Sequence, residues 1–368
     1  AKMLLSSRTT LGLGAGRASR ASREVATLAV SRASFKDGDK FASILNGCWT
    51  LAGGHGREVY TNIFDKLGAH ADAGFDTFDT ADIYGPSEQI LGEFIAARRE
   101  AGKPAVKVFT KYVPNIFQEK VTSASVQAAV QKSLKMLQVS SLDCVQMHWW
   151  DYSINGMVDA AKALADCQAQ GLIKHLGVTN IDAPHLATLI DAGVPIVASQ
   201  VQFSLLDRRP LNGMLQLAES HGIQLLTYGS VGGGLLSDKY VAAPKATGLF
   251  NRERYANVDL NTSSLKMYWG VVKQFGGQDL WRELLLVLKG VADEHQVSVA
   301  NVALRWVMQQ GGGNSVHPIV GIRSTTHIAD NARTFTFTLT PSNLATIGEV
   351  LARAQGPTGD VYSFERGG

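Results

Sequence analysis

The sequence predicts a single (β/α)8 TIM barrel, and two observations carry that expectation. From Phe41 onward, short β-like runs alternate with amphipathic helical stretches, eight times over. Strict alternation implies parallel strands joined by right-handed crossovers, and eight such units close a barrel. No linker-like Pro/Ser stretch follows residue 40, so residues 41–368 read as one domain, although a length of 368 residues alone would suggest two.

The elements follow in order. The first run, 45–49, ends in the glycine-rich turn Gly53, Gly54, His55, Gly56, and a helical stretch covers 57–73. The second run, 75–79, closes on a carboxylate, Asp79; a loop then carries Tyr84, Pro86 and Ser87. Glu88 opens a helix whose apolar side is Ile90, Leu91, Phe94 and Ile95, an acid placed to suit the positive end of the helix. The third run is 105–111, and the helix over 121–137 shows Val126, Val130, Leu134 and Leu137 at helical spacing. Run 142–148 precedes a helix over 156–170, and runs 174–178, 196–202 and 224–228 are each separated by helical segments. A helical region over 280–310 leads to the eighth run, 317–321. Residues 237–279 break the repeat and read as an insertion after the seventh strand.

Composition narrows the function classes. A net charge of +3 is mild, and residues 1–36 hold seven Lys or Arg against one acid, so the remainder offers no basic nucleic-acid surface. Residues 1–40 therefore read as a basic N-terminal extension. Rich in Arg, Ser, Ala and Leu and poor in acids, it has the composition of a plastid or mitochondrial transit peptide; if retained, it is a docking arm for a partner or membrane surface. Three scattered cysteines, Cys48, Cys144 and Cys167, form neither a disulfide framework nor a metal knuckle, and His295 and His317 lack metal spacing. No apolar run reaches the roughly 20 residues of a membrane helix.

Strand parity places the candidate chemistry. If Val106, Val108 and Thr110 pack on helices, then Lys107, Phe109 and Lys111 point inward; Thr77 and Asp79, and Cys144, Gln146 and His148, do the same on the neighbouring strands. Asp79, Lys111 and His148 thus meet at the C-terminal rim, where barrels carry their chemistry, with Tyr84 in the loop above. A phenol, an ammonium, a carboxylate and an imidazole suit proton transfer to a carbonyl oxygen. The ammonium is expected to lower the phenol's pKa, the carboxylate to hold the ammonium, and the imidazole to orient the substrate oxygen. Such a set needs a hydride donor from a cofactor. Singly, each residue is more often a surface charge, a salt bridge or a core histidine; jointly they make a site.

The segments D-T-A-D-I-Y-G-P-S-E, V-F-T-K-Y and Q-M-H-W-W resemble the active-site motifs of the aldo-keto reductase superfamily, over roughly residues 41–345. The resemblance implies Tyr84 as general acid/base, Asp79 and Lys111 as its tuning pair, and His148 as the carbonyl-orienting group. L-G-V-T-N resembles the family's Gly-Val-Ser-Asn segment, implying that Thr179 and Asn180, with Gln200, hold a nicotinamide carboxamide while Tyr228 stacks on the ring. Gly229, Ser230, Gly232 and Leu235 would follow the pyrophosphate. I-V-G-I-R-S-T-T-H-I-A-D-N resembles the adenosine-phosphate segment. Arg323 and Ser324 would meet a ribose 2′-phosphate there, with Asp330 and Asn331 near the adenine and Gly321 and His327 in the same cofactor-binding set; a guanidinium suits a phosphate, so NADP(H) is expected. Gly47 and Trp49 join this cofactor set, and Trp49, Tyr112 and Trp149 are expected to wall the substrate pocket. Tyr228-Gly229-Ser230-Val231 departs from the family's Tyr-Ser-Pro-Leu, and His327 replaces a common Gln. N-G-C-W, L-K-M-Y-W and the 237–279 insertion are similar to a longer-chain branch of the family.

These features predict an NADPH-dependent reductase of an aldehyde or ketone. The alternative is a non-catalytic regulatory or structural subunit that docks through the basic arm or the insertion.

Overall fold

The computed structural model describes residues 29–53, 59–241, 245–247, 253–255, 258–312, 314–363 and 365–366. The basic arm up to residue 28, the glycine turn at 54–56 and parts of the 237–279 insertion lie outside these residues.

A hairpin, β1 (Arg32–Ser34) and β2 (Lys40–Ala42), precedes the barrel. The chain then runs through β3 (Leu45–Gly47), β4 (Thr77–Asp79), β5 (Lys107–Tyr112), β6 (Leu142–His148), β7 (Ile173–Thr179), β8 (Ile196–Gln202) and β9 (Gln224–Tyr228). A second hairpin, β10 (Lys245–Thr247) and β11 (Glu253–Tyr255), lies in the insertion, and β12 (Val316–Gly321) closes the ring by pairing in parallel with both β3 and β9. The closed barrel is β12-β3-β4-β5-β6-β7-β8-β9, the eight-unit barrel expected from the alternation.

Alternation along each strand sorts the side chains by face. Phe78, Val108, Val145, Met147, Leu176, Val178 and Val201 point outward into the apolar layer beneath the helices. Leu45, Phe109, Cys144, Ala198 and Leu226 point inward and form a dry plug with Phe35 and Phe41 of the first hairpin. Phe41 lies 5.5 Å from Phe109 and 4.8 Å from Phe35, centroid to centroid. Asp39 ties the hairpin to the barrel floor, accepting from Lys107 at 2.7 Å and meeting His175 at 3.1 Å. The folded unit therefore begins before residue 41: part of the expected extension is the stopper of the barrel's N-terminal end. Its phenylalanines need an apolar floor, and the inward faces of β3, β5 and β9 supply one.

Local chemistry explains the other boundary shifts. The helical region expected over 280–310 is two helices, Gly277–His295 and Val299–Gln309. Gln296 takes the left-handed conformation (φ 55°) and ends the first; Ser298 and Asn301 form a reciprocal cap that starts the second. The stretch expected over 57–73 shortens to a helix at Ile63–Asp72. Within the insertion, Thr262 caps a helix, Ser263–Phe275, which buries Leu265, Tyr268, Val272 and Phe275. Among the described residues no helix is long and apolar enough to cross a membrane.

Phe41→Ala is expected to destabilise the protein by about 3–5 kcal/mol in urea unfolding, because the plug cannot collapse around the void.

Candidate active site

Asp79 is the last residue of β4, placed between Gly47 of β3 and Phe109 of β5 by the strand register. Its inward carboxylate accepts Lys111 Nζ at 2.6 Å on Oδ1, and Gln146 Nε2 at 2.9 Å and Gln200 Nε2 at 2.7 Å on Oδ2. Lys111 also donates to the Thr80 carbonyl at 2.8 Å. Both side chains of the ion pair are only 5% exposed. Burial works against the Lys111 charge, but the Asp79 and Tyr84 sides outweigh it and hold the ammonium above its ordinary range. Removing one partner would strand a buried charge at a cost of about 3–5 kcal/mol.

Tyr84 stands over this pair, with Lys111 Nζ 5.2 Å from its ring centroid. Its loop is pinned at several points. Thr80 donates to the Phe109 carbonyl through its amide and to Ser87 through its hydroxyl, Asp82 N reaches the Lys111 carbonyl, and Gly85 turns at φ 54°. Glu88, at the head of the helix Ser87–Glu100, is buried and accepts from Thr110 of β5 at 2.6 Å, so it braces the loop. The phenol differs from expectation. Burial pushes its pKa above the ordinary value of 10, and the downward pull of Lys111 does not overcome this, with Asp79 and Cys48 adding to the rise. Tyr84 is therefore a protonated phenol at neutral pH.

His148 ends β6. Its Nδ1 lies 3.1 Å from the Thr179 carbonyl, and Nε2 is buried without a partner among the described residues. Burial brings its pKa down to about 4, despite the Thr179 carbonyl and with Arg366 and Lys111 adding to the fall. A neutral ring whose Nδ1–H serves a carbonyl presents a lone pair at Nε2.

Two pocket-wall expectations are corrected by the same parity rule. Tyr112 follows inward Lys111 and turns out into the helix layer, 6% exposed; Trp149 follows inward His148 and does likewise, donating its indole N–H to the Ile154 carbonyl at 3.1 Å. Trp150 is the indole against His148, ring centroids 4.2 Å apart. Trp49 stays at the rim, half-buried in the turn Trp49–Ala52.

The sequence reading missed the C-terminal tail. Tyr362 meets the His148 ring at 5.5 Å, and the Arg366 guanidinium donates to the carbonyls of Trp150 (3.0 Å), Trp149 (2.9 Å) and Asn180 (2.8 Å). Glu365 forks onto Arg209 at 2.9 and 3.0 Å. No local motif near residue 360 marks these contacts; they join residues more than 150 positions apart.

The expected cofactor residues separate into two groups. At the end of β12, Arg323 and His327 are exposed and Ser324 is half-exposed beside Gly321, a donor-rich ledge that suits a phosphate. Asp330 belongs elsewhere: its carboxylate accepts from Ser298 at 2.8 Å, and neighbouring Asn331 is buried. At the other end, Thr179 is buried beside His148, and Asn180 takes a left-handed turn (φ 57°) and accepts the Tyr228 hydroxyl at 2.9 Å. The Gln200 amide nitrogen is spent on Asp79 and Gln146, so Gln200 buttresses the carboxylate. Ser230 turns inward onto Thr227, and Leu235 is core. Tyr268 of the insertion helix packs on Gly229 and Gly233, where a Cβ would fall 2.6 Å from its ring. Gly47 is likewise closed by Ile319, at 2.9 Å from any added Cβ. Packing thus accounts for these glycines without a ligand.

The model of the Aldo/keto reductase family matches residues 43–352. The chain belongs to that family. It is 28% identical over 276 residues to the chloroplastic pyridoxal reductase of Arabidopsis thaliana, covering 70% of this chain and 68% of that protein. It is also 28% identical over 266 residues to flagellar radial spoke protein 5 of Chlamydomonas reinhardtii, covering 63% of this chain. The match spans 49% of the spoke protein's length. Among solved structures, the glycerol dehydrogenase AKR11B4 from Gluconobacter oxydans superposes with a TM-score of 0.68 at 23% identity, covering 89% of this chain and 97% of that one. An aldo-keto reductase, AKR2E5, complexed with NADPH superposes at 0.65 and 17% identity, covering 88% of each chain. At these identities the superpositions show the shared barrel.

Asp82, beside the site, is a half-buried carboxylate. Burial, opposed by the Val113 amide and reinforced by Glu88, pushes Asp82 up to about 6 from an ordinary 3.8. The native state thus holds a proton that the unfolded chain has released, and stability is lost as pH rises from about 4 to 6. Asp82→Asn is expected to raise stability at pH 8, by at most about 3 kcal/mol, and to give no gain near pH 4 in parallel urea titrations.

Proposed function

We propose that this protein is an NADP(H)-dependent reductase of aldehydes or ketones. The observation that carries the reading is the buried Lys111–Asp79 pair beside a protonated Tyr84 and a neutral His148.

NADP(H), when bound, supplies the hydride. Arg323, Ser324 and His327 would hold its 2′-phosphate, and Thr179 and Asn180 its carboxamide. Tyr268 packs over Gly229 and Gly233, on the segment expected to follow the pyrophosphate, and Arg366 holds the Asn180 carbonyl, so both side chains would have to shift to free these positions. Tyr84 donates its phenolic proton to the carbonyl oxygen of the substrate. The Lys111 ammonium stabilises the phenolate left behind, and Asp79, braced by Gln146 and Gln200, keeps that ammonium charged and in place. His148, with Nδ1–H committed to Thr179, accepts a hydrogen bond at Nε2 from the hydroxyl as it forms, and so orients the alcohol. The same residues serve oxidation in reverse. Trp150 and Tyr362 give the substrate side an aromatic wall, and Trp49 stands at the rim.

Tyr84→Phe is expected to lower kcat by about 10²–10⁴-fold while NADPH affinity changes by less than about two-fold; undiminished turnover would overturn the assignment. With His148 near 4 and Tyr84 above 10, reductive kcat/KM should show no inflection from His148 around 6.5. A buffer-matched rate profile from pH 5 to 10 checks this.

A second reading is favoured by the filled positions at Gly229, Gly233 and Asn180 and by the similarity to a radial spoke protein: a non-catalytic barrel that docks to other proteins. Titration of protein fluorescence with NADPH separates the two. The reductase saturates; the structural subunit does not bind and migrates only within a larger assembly.

A further inference from the structure

The N-terminal end of the barrel, opposite the catalytic rim, holds a cavity of about 600 Å³ that the reductase chemistry does not use. Its walls come from distant parts of the chain. The first hairpin gives Ser31, Arg32 and Ser34, the helix Val299–Gln309 gives Arg305, the start of β12 gives Asn314 and His317, and the loop before the last helix gives Thr336 and Thr338. Among the described residues none of the lining side chains is a carboxylate.

The two arginines differ in their partners. Arg32 is neutralised by Asp76 at 2.6 Å. Arg305 is half-buried and has no carboxylate at ion-pair distance among the described residues. Its guanidinium donates twice to one neutral acceptor, the Thr334 carbonyl, through Nε at 2.9 Å and through a second nitrogen, and it lies 5.8 Å from the Phe337 ring centroid. Burial lowers its pKa and no anionic neighbour opposes the fall. A carbonyl satisfies N–H groups but does not cancel a charge, so the chain carries a desolvated cation at a cost that an anion would offset. His317 adds a second observation. It is 2% exposed, its Nε2 meets Gln224 Oε1 at 2.8 Å, and its Nδ1 has no partner in hydrogen-bond geometry among the described residues. Burial brings its pKa down to about 4 against the pull of the Ser43 and Asn314 carbonyls, so the ring is a neutral polar wall.

We propose that this cavity is a binding site for a phosphate-class oxyanion, held by the Arg305 guanidinium with the Asn314 amide and the Thr338 hydroxyl, beside the neutral His317 ring. A guanidinium presents paired N–H donors that match phosphate oxygens, and the cavity leaves room for a small substituent on the phosphate. The site is independent of the cofactor reading, since it lies at the other end of the barrel.

Calorimetric titration of the full chain with inorganic phosphate, against chloride at equal ionic strength, tests this. A saturable event is expected that persists in Arg323→Gln, which removes the proposed 2′-phosphate contact at the catalytic end. Arg305→Gln should weaken it at least ten-fold. Should that variant fail to fold, Asn314→Asp, at an exposed position, places a carboxylate in the cavity and should abolish the event. A parallel arm with glycerol 3-phosphate distinguishes the source: tighter binding than phosphate identifies a phosphorylated small molecule, equal binding the free ion. No saturable heat, an event lost in Arg323→Gln, or an event untouched by the tested cavity variant overturns the proposal.

Discussion

The ion pair of Asp79 and Lys111 is the constraint around which this barrel is arranged. Two opposite charges at 5% exposure, 2.6 Å apart, persist only if every remaining donor and acceptor is matched. The barrel supplies the matches from strands around its circumference: Gln146 from β6, Gln200 from β8, and the Thr80 carbonyl just past β4. Each of these side chains is inward only because its strand is in register with its neighbours. A slip of one residue in any of them would turn the donor into the helix layer and leave Asp79 short of a partner.

That polar tier rests on a dry one. Phe35 and Phe41 of the hairpin close the barrel end with Phe109, Leu226 and Cys144, so water does not reach the ion pair from below. Above the plug, Tyr84 and His148 stand at the C-terminal rim. Burial then sets both protonation states. It holds the phenol protonated in spite of the ammonium and holds the imidazole neutral. The expected simple picture, an ammonium that lowers a phenol's pKa, considers one charge and omits the desolvation that comes with placing the ring over the pair.

The tail and the insertion complete the rim. Arg366 clasps three carbonyls at the ends of β6 and β7, and Tyr268 covers the glycines after β9. Tyr268 thus covers glycines expected to follow a pyrophosphate, and Arg366 holds the carbonyl of Asn180, the residue expected at a carboxamide, whereas Arg323 and His327 are exposed.

By itself the sequence determined the barrel, because eight alternations of strand and helix periodicity admit few other closures, and parity alone brought Asp79, Lys111 and His148 to one rim. The same parity rule, applied to single residues, would also have turned Tyr112 and Trp149 outward. Tertiary structure alone decided the rest. Asp330 is taken by Ser298, Gln200 by Asp79, and the site is roofed by Tyr362 and Arg366 from the far end of the chain. Periodicity reports which way a side chain leaves its own strand. Partner choice depends on which distant segment reaches the same buried atom first, and no local pattern in the chain encodes that distance.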